Sequence, residues 1–87
     1  MQADHAQVTR LLKTARGQLD GILRMVEEDR YCIDISNQLL STQAILKKAN
    51  RMVVQAHIEH CVKDAVLEGA GQQKVEEILD LLEKMAK

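Results

Sequence analysis

The chain contains no proline, phenylalanine or tryptophan, and a single tyrosine, Tyr31. Without proline, no helix is interrupted by a residue that lacks a backbone donor. Without large rings, a core must be assembled chiefly from Leu, Ile, Val, Ala and Met, within an apolar content of 46%. Such side chains interdigitate well between helices, so an all-α fold is expected. The same absence removes the stacking platforms on which single-stranded nucleic acid is usually held. Nowhere do about 18 apolar residues occur together, and the first residues include neither a basic n-region nor an apolar run. The expected location is therefore the cytoplasm, with no membrane partner. A formal charge of −1 points to no partner in bulk, so the distribution of charge matters more. There are only two cysteines, Cys32 and Cys61. In a reducing cytosol a pair like this indicates a metal site, a reactive thiol or plain packing before it indicates a structural disulfide. No nucleophile–base pair with an orienting acid and no phosphate-binding glycine loop is present, so no enzymatic activity is expected.

Arg30 to Glu68 is the dominant feature, 39 residues without glycine or proline. Ile33, Leu39, Leu40, Ile45, Leu46, Ala49, Met52, Val53, Ala56, Cys61, Val62 and Ala65 recur mostly three or four apart, the spacing of one continuous helix. At about 1.5 Å per residue that helix is nearly 60 Å long, too long to bury its stripe against one short neighbour. Before it, Val8, Leu12, Ala15, Leu19, Ile22 and Val26 define a first helix capped by Asp4, with Gln7 as a weak capping-box partner. Gly17 and Gly21 lie inside that helix and are expected to permit a close helix crossing. The stripe lapses at Glu27-Glu28-Asp29-Arg30, a tight turn at which Asp29 is expected to cap the long helix. Gly69-Ala70-Gly71 is the expected stop, followed by a third helix with Val75, Ile78, Leu79, Leu82 and Met85 on its apolar face. The expectation is one domain, 1–87, with helices at about 4–28, 30–68 and 72–86.

Arg10, Lys13 and Arg16 form one stripe on the first helix, and Lys47, Lys48 and Arg51 a cluster on the second. No acidic residue lies between Ile35 and Ile58. An antiparallel hairpin turning near Asp29–Arg30 brings together residues whose numbers sum to about 60. The two groups then merge into one basic face. A single basic stripe is most simply a solvated surface. Two acid-free stripes that converge from distant sequence point instead to an anionic partner, most naturally double-stranded DNA held through its phosphates. No helix-turn-helix, zinc finger or ribbon motif accompanies them.

His57-Ile58-Glu59-His60-Cys61 places His57 and Cys61 on one helical face, where both can grip one metal ion. Taken alone, the spacing is equally that of a buried packing thiol beside a surface histidine. Cys32 decides between them. It lies 29 residues from Cys61, about 43 Å on a straight helix. Two thiolates on one metal must approach within roughly 4 Å. One chain cannot supply both. If the long helix pairs antiparallel with its copy about a two-fold axis near Ile45–Lys48, Cys32 of one chain meets Cys61 of the other, with His57 one turn away. The resulting C2 dimer carries two S,S,N sites. Soft ligands in low number suit Cu(I), whereas Zn(II) would want a fourth. His60 points to another face, and His5 reaches the site only if the N-terminus folds over it.

The run Met25-Val26-Glu27-Glu28-Asp29-Arg30-Tyr31-Cys32-Ile33-Asp34, the His57-to-Cys61 segment and Gly17-Gln18 together resemble the CsoR/RcnR family of bacterial metal-responsive repressors, the copper-sensing branch above all. The resemblance implies a three-helix protomer, an antiparallel four-helix-bundle homodimer and a dimer-of-dimers tetramer. It implies trigonal Cu(I) binding by Cys32 with His57 and Cys61 of a second copy. Tyr31 and Glu77 would support that site, Glu77 through the other ring nitrogen of His57. Operator contacts would fall on or near Lys13, Arg16, Lys47 and Lys48. The implied function is a repressor that binds operator DNA in the apo form and is released by Cu(I). The alternative within the family is a persulfide sensor that links Cys32 and Cys61 across the dimer. Nickel or cobalt sensing is disfavoured, because that branch resembles a pattern with histidine at the position of Cys61.

Overall fold

Three helices follow one another in the computed structural model, which describes residues 1–68 and 71–86: α1 (His5–Glu27), α2 (Cys32–Glu68) and α3 (Gly71–Ala86). There is no strand among the described residues. Asp4 caps α1 as expected. Its extended backbone leaves the carboxylate free to accept from the amides of Ala6 at 2.9 Å and Gln7 at 3.3 Å, which satisfies two of the amides that a helix start leaves without partners.

The turn is built differently from the expectation. Asp29 has φ 53°, a left-handed conformation that cannot begin a helix and that ends one readily. The Asp29 amide donates to the Val26 carbonyl at 3.1 Å and the Arg30 amide to the Met25 carbonyl at 3.0 Å. This crossed pair of hydrogen bonds is a Schellman closure of α1, so Asp29 ends the first helix and does not cap the second. Instead, Tyr31 opens α2, its carbonyl accepting from the Ile35 amide at 3.2 Å. At the other end, Gly69 and Ala70 of the expected stop lie outside the described residues.

α2 is unbroken for 37 residues. At about 1.5 Å per residue it accounts for most of the molecule's 57 Å length. It packs antiparallel to α1, and one polar contact fixes the register. The buried Thr42 hydroxyl lies 2.8 Å from Gln18 Oε1 and 3.1 Å from its own helix's Gln38 carbonyl. Gln18 and Thr42 sum to 60, the register that the sequence pattern requires. The buried residues Val8, Ala15 and Ile22 recur every seventh position and give α1 a narrow contact stripe. Gly17 lies two positions from Ala15, on the far side of α1. A Cβ there would meet no atom within 4 Å, and one at Gly21 only Arg24 Nη2 at 3.9 Å. Among the described residues no helix crosses closely at either glycine, contrary to expectation.

α3 folds back along the C-terminal half of α2. Lys74 Nζ reaches Asp64 Oδ2 at 3.6 Å, and Leu82 and Met85 share a groove with Val54 and Ile58. The buried core is thin, and no described side chain is completely enclosed. Leu12, Leu23, Ile33, Leu40, Val62, Val75 and Leu79 all remain exposed. A helix with apolar residues all round, as in α2, is ordinarily buried on every side.

Candidate metal centre and basic face

One helical turn of α2 sets the centre of the site. His57 and Cys61 follow each other at i and i+4, and Cys61 Sγ lies 3.3 Å from His57 Nε2. Cys61 is 4% exposed, facing inward in line with Val54 seven residues earlier. The His57 side chain is half-exposed and meets Glu77 Oε1 of α3 at 3.5 Å, again through Nε2. Thiol and carboxylate therefore converge on a single ring nitrogen. The expectation that Glu77 uses the other nitrogen is not what the structure has. In either tautomer this one nitrogen faces both neighbours, so whatever engages it alters the link between α2 and α3.

The donor set fits a soft metal ion. A metal about 2.3 Å from a thiolate and about 2.0 Å from an imidazole nitrogen holds the two atoms roughly 3.5–3.8 Å apart. The observed 3.3 Å needs little adjustment. Two donors are all that this turn provides. Among the described residues no three His, Cys, Asp or Glu side chains of one chain converge to hold a metal. Cys32 is exposed at the first residue of α2, and a separation of 29 positions along one helix keeps it about 43 Å away along the axis. Tyr31, beside it in the turn, is also exposed. The structure thus brings together His57, Cys61 and Glu77, and leaves Cys32 and Tyr31 at the opposite end.

The other two histidines lie apart from this pair. His60 Nε2 is 3.1 Å from Asp64 Oδ2, the same oxygen that Lys74 approaches. His5 is exposed at the start of α1. The N-terminus does fold onto α2, with Ala3 buried and Gln2 lining a groove beside Ile58, His60 and Val62. The Asp64 bridge was legible only in part. The His60/Asp64 spacing is visible in the sequence, whereas Lys74 joins them only once α3 has folded back.

The hairpin brings one basic residue of each group into a shared groove. Arg10 and Lys48 line one groove with Gln7, Leu11 and Met52, while Lys47 and Arg51 line another with Asn50 and Met85. Lys13 and Arg16 are exposed along α1. Among the described residues, none of these six cations has a carboxylate within ion-pair distance. Thr14 adds no charge and bonds back to the Arg10 carbonyl at 3.0 Å. Sequence reasoning did not find Met85 among these residues, because nothing in the primary structure places the end of α3 beside Arg51.

Residues 4–84 match the family described as metal-sensitive transcriptional repressor. The chain belongs to that family. Its members are transcriptional repressors, not enzymes. The copper-sensing transcriptional repressor CsoR of Mycobacterium ulcerans is 51% identical over 69 residues, 79% of this chain and 59% of that protein. The chain therefore spans a little under three-fifths of the length of that mycobacterial relative. CsoR of Bacillus subtilis is 43% identical over 81 residues, covering 93% of this chain and 80% of its own. The crystal structure of the copper-sensing repressor CsoR with Cu(I) from Geobacillus thermodenitrificans superposes with a TM-score of 0.86 at 38% identity. It covers 94% of this chain and 85% of that one. The three-helix fold is accordingly that of the metal-sensitive repressor family. No helix among the described residues is long and apolar enough to cross a membrane.

Proposed function

We propose that this family member is a copper(I)-responsive transcriptional repressor acting in the cytoplasm. In the apo form it binds operator DNA, and Cu(I) releases it. The observation that carries the reading is the Cys61 Sγ–His57 Nε2 pair at 3.3 Å, with Cys32 stranded at the far end of the same helix. The third ligand then comes from a second copy. Two α2 helices lying antiparallel about Ile45–Lys48 bring Cys32 of one copy to His57 and Cys61 of the other, giving two equivalent sites per dimer. The apolar residues left exposed all round α2 and along α1 and α3 support such a dimer, and pairing of dimers would cover the rest. The copper-sensing relatives supply the identity of the metal, in agreement with two thiolates and one imidazole. An imidazole beside Cys61 favours metal binding over persulfide-driven linkage of the two thiols.

Arg10, Lys13, Arg16, Lys47, Lys48 and Arg51 would face DNA phosphates, with no carboxylate among the described residues within ion-pair distance of them. Bound copper supplies charge and a fixed geometry at His57. Glu77 meets the nitrogen that already faces Cys61, so any ligand engaging that nitrogen disturbs the hold of α2 on α3. By linkage, copper and operator must then weaken each other by the same factor. The test is an anaerobic Cu(I) titration followed by X-ray absorption, with parallel binding to a labelled duplex selected by the apo protein. The expected result is a three-coordinate S,S,N copper site and a fall in DNA affinity at saturation. Undiminished DNA affinity with copper bound would exclude the proposal.

A further inference from the structure

α3 is joined to α2 in two chemically different ways. Near its start the contacts are polar, Lys74 to Asp64 at 3.6 Å and Glu77 to His57 at 3.5 Å. Eight residues beyond Glu77, about 12 Å along the helix, no ion pair is present among the described residues. There the half-exposed Leu82 and Met85 border an open groove of about 370 Å³ whose other walls include Val54, Ile58 and Arg51. Met85 also lines the adjoining groove, whose other walls are Lys47, Asn50 and Arg51. One side chain at the end of α3, Met85, 42% exposed, therefore borders the turn of α2 that presents Lys47 and Arg51. Among the described residues, no ion pair links α3 to Lys47 or Arg51.

After Gly71, α3 is a helix with no glycine or proline up to Ala86. An uninterrupted helix of this length would carry a displacement at Glu77 on to Met85. Arg51 lines both grooves, so the position of the Met85 side chain limits where the guanidinium and its aliphatic stem can lie.

We infer that Met85 is a positioning residue through which α3 sets Lys47 and Arg51 for phosphate, so that a change at the His57–Glu77 contact is felt at the basic face. The inference rests on the copper-responsive reading above and names the contact that carries its coupling. Metal and DNA ligands both stay intact in Met85→Ala. The variant is expected to keep its Cu(I) affinity, its copper absorption spectrum and its helical signal, while its apo DNA affinity falls toward that of the copper-bound parent. The factor by which copper weakens DNA binding, commonly about 5–150-fold in such systems, should fall to about two-fold or less. Met85→Leu, which refills the groove, should restore it. Full coupling in Met85→Ala would overturn the inference, as would loss of apo DNA binding in proportion to loss of helical signal, the mark of a merely structural role. A metal-free readout separates this inference from the copper reading. With methyl-labelled methionine, Glu77→Gln in the apo protein should shift the Met85 methyl resonance. If copper leaves DNA affinity unchanged even in the parent chain, the copper reading fails. An unmoved Met85 resonance in Glu77→Gln refutes the lever itself.

Discussion

Mixing two defective chains should rebuild the site that neither contains. Cys32→Ser removes the ligand at one end of α2, and Cys61→Ser removes the buried thiol at the other. Each variant alone forms dimers in which both proposed sites lack a thiolate. In a mixed dimer the two lesions fall on the same site, because Cys32 of one copy serves the Cys61 end of the other, and the second site is complete. Random reassortment of equal amounts gives about half mixed dimers, each with one good site of two, so about a quarter of the parent's tight Cu(I) capacity should return. The calculation depends on the roughly 43 Å of continuous helix between the cysteines, which excludes any arrangement within one chain. The measurement is anaerobic competition for Cu(I) against a chromophoric chelator. Both variants are unfolded and refolded together, with separately refolded samples as controls. No recovery above the average of the controls would refute the antiparallel pairing. Tight binding by either variant alone would refute the ligand assignment.

Other expectations follow from the same geometry. Operator affinity should fall steeply with salt, and Arg10→Ala or Lys48→Ala should each lower the log–log salt slope by about one while weakening all duplexes alike. Equal slopes in parent and variants would remove these side chains from the interface. Thr42→Val keeps the shape of the side chain but deletes the buried hydroxyl beside Gln18. Denaturant unfolding should reveal a loss of about 1 kcal/mol, since the half-buried Gln18 can turn to water. Gly17→Ala adds a Cβ in open space and should stabilise the helix by about 1 kcal/mol. Thermal unfolding would register that as a rise of roughly 4–8 °C. A fall would mean that another molecule packs against that face of α1.

The parts of the molecule that were legible in the sequence are those governed by periodicity. The absence of breakers from Arg30 to Glu68 gave the long helix, Asp4 gave its neighbour's cap, and the turn position gave a register that Gln18 and Thr42 obey. The approach of Arg10 to Lys48 follows from that register alone. What stayed hidden depends on backbone angles or on a second hairpin. Asp29 is chemically a good N-cap, and only its positive φ reveals that it closes α1 instead. Gly17 and Gly21 suggest a crossing to any reader of the sequence, but the stripe through Ala15 and Ile22 turns them away from α2. The His57/Cys61 spacing was readable. The convergence of Glu77 on the same nitrogen, and the arrival of Met85 beside Arg51, were not, because both require the path of α3 back along α2.

The separation of Cys32 from Cys61 has a consequence for dose. Each molecule carries two unlike halves of a detector that it cannot join by itself, so on the proposed pairing the number of working detectors in a dilute population rises as the square of protein concentration. Halving the amount of protein in that regime would cost about three-quarters of the copper response. The threshold at which such a cell notices copper would then depend on how much of this protein it makes as well as on the chemistry of sulfur and imidazole.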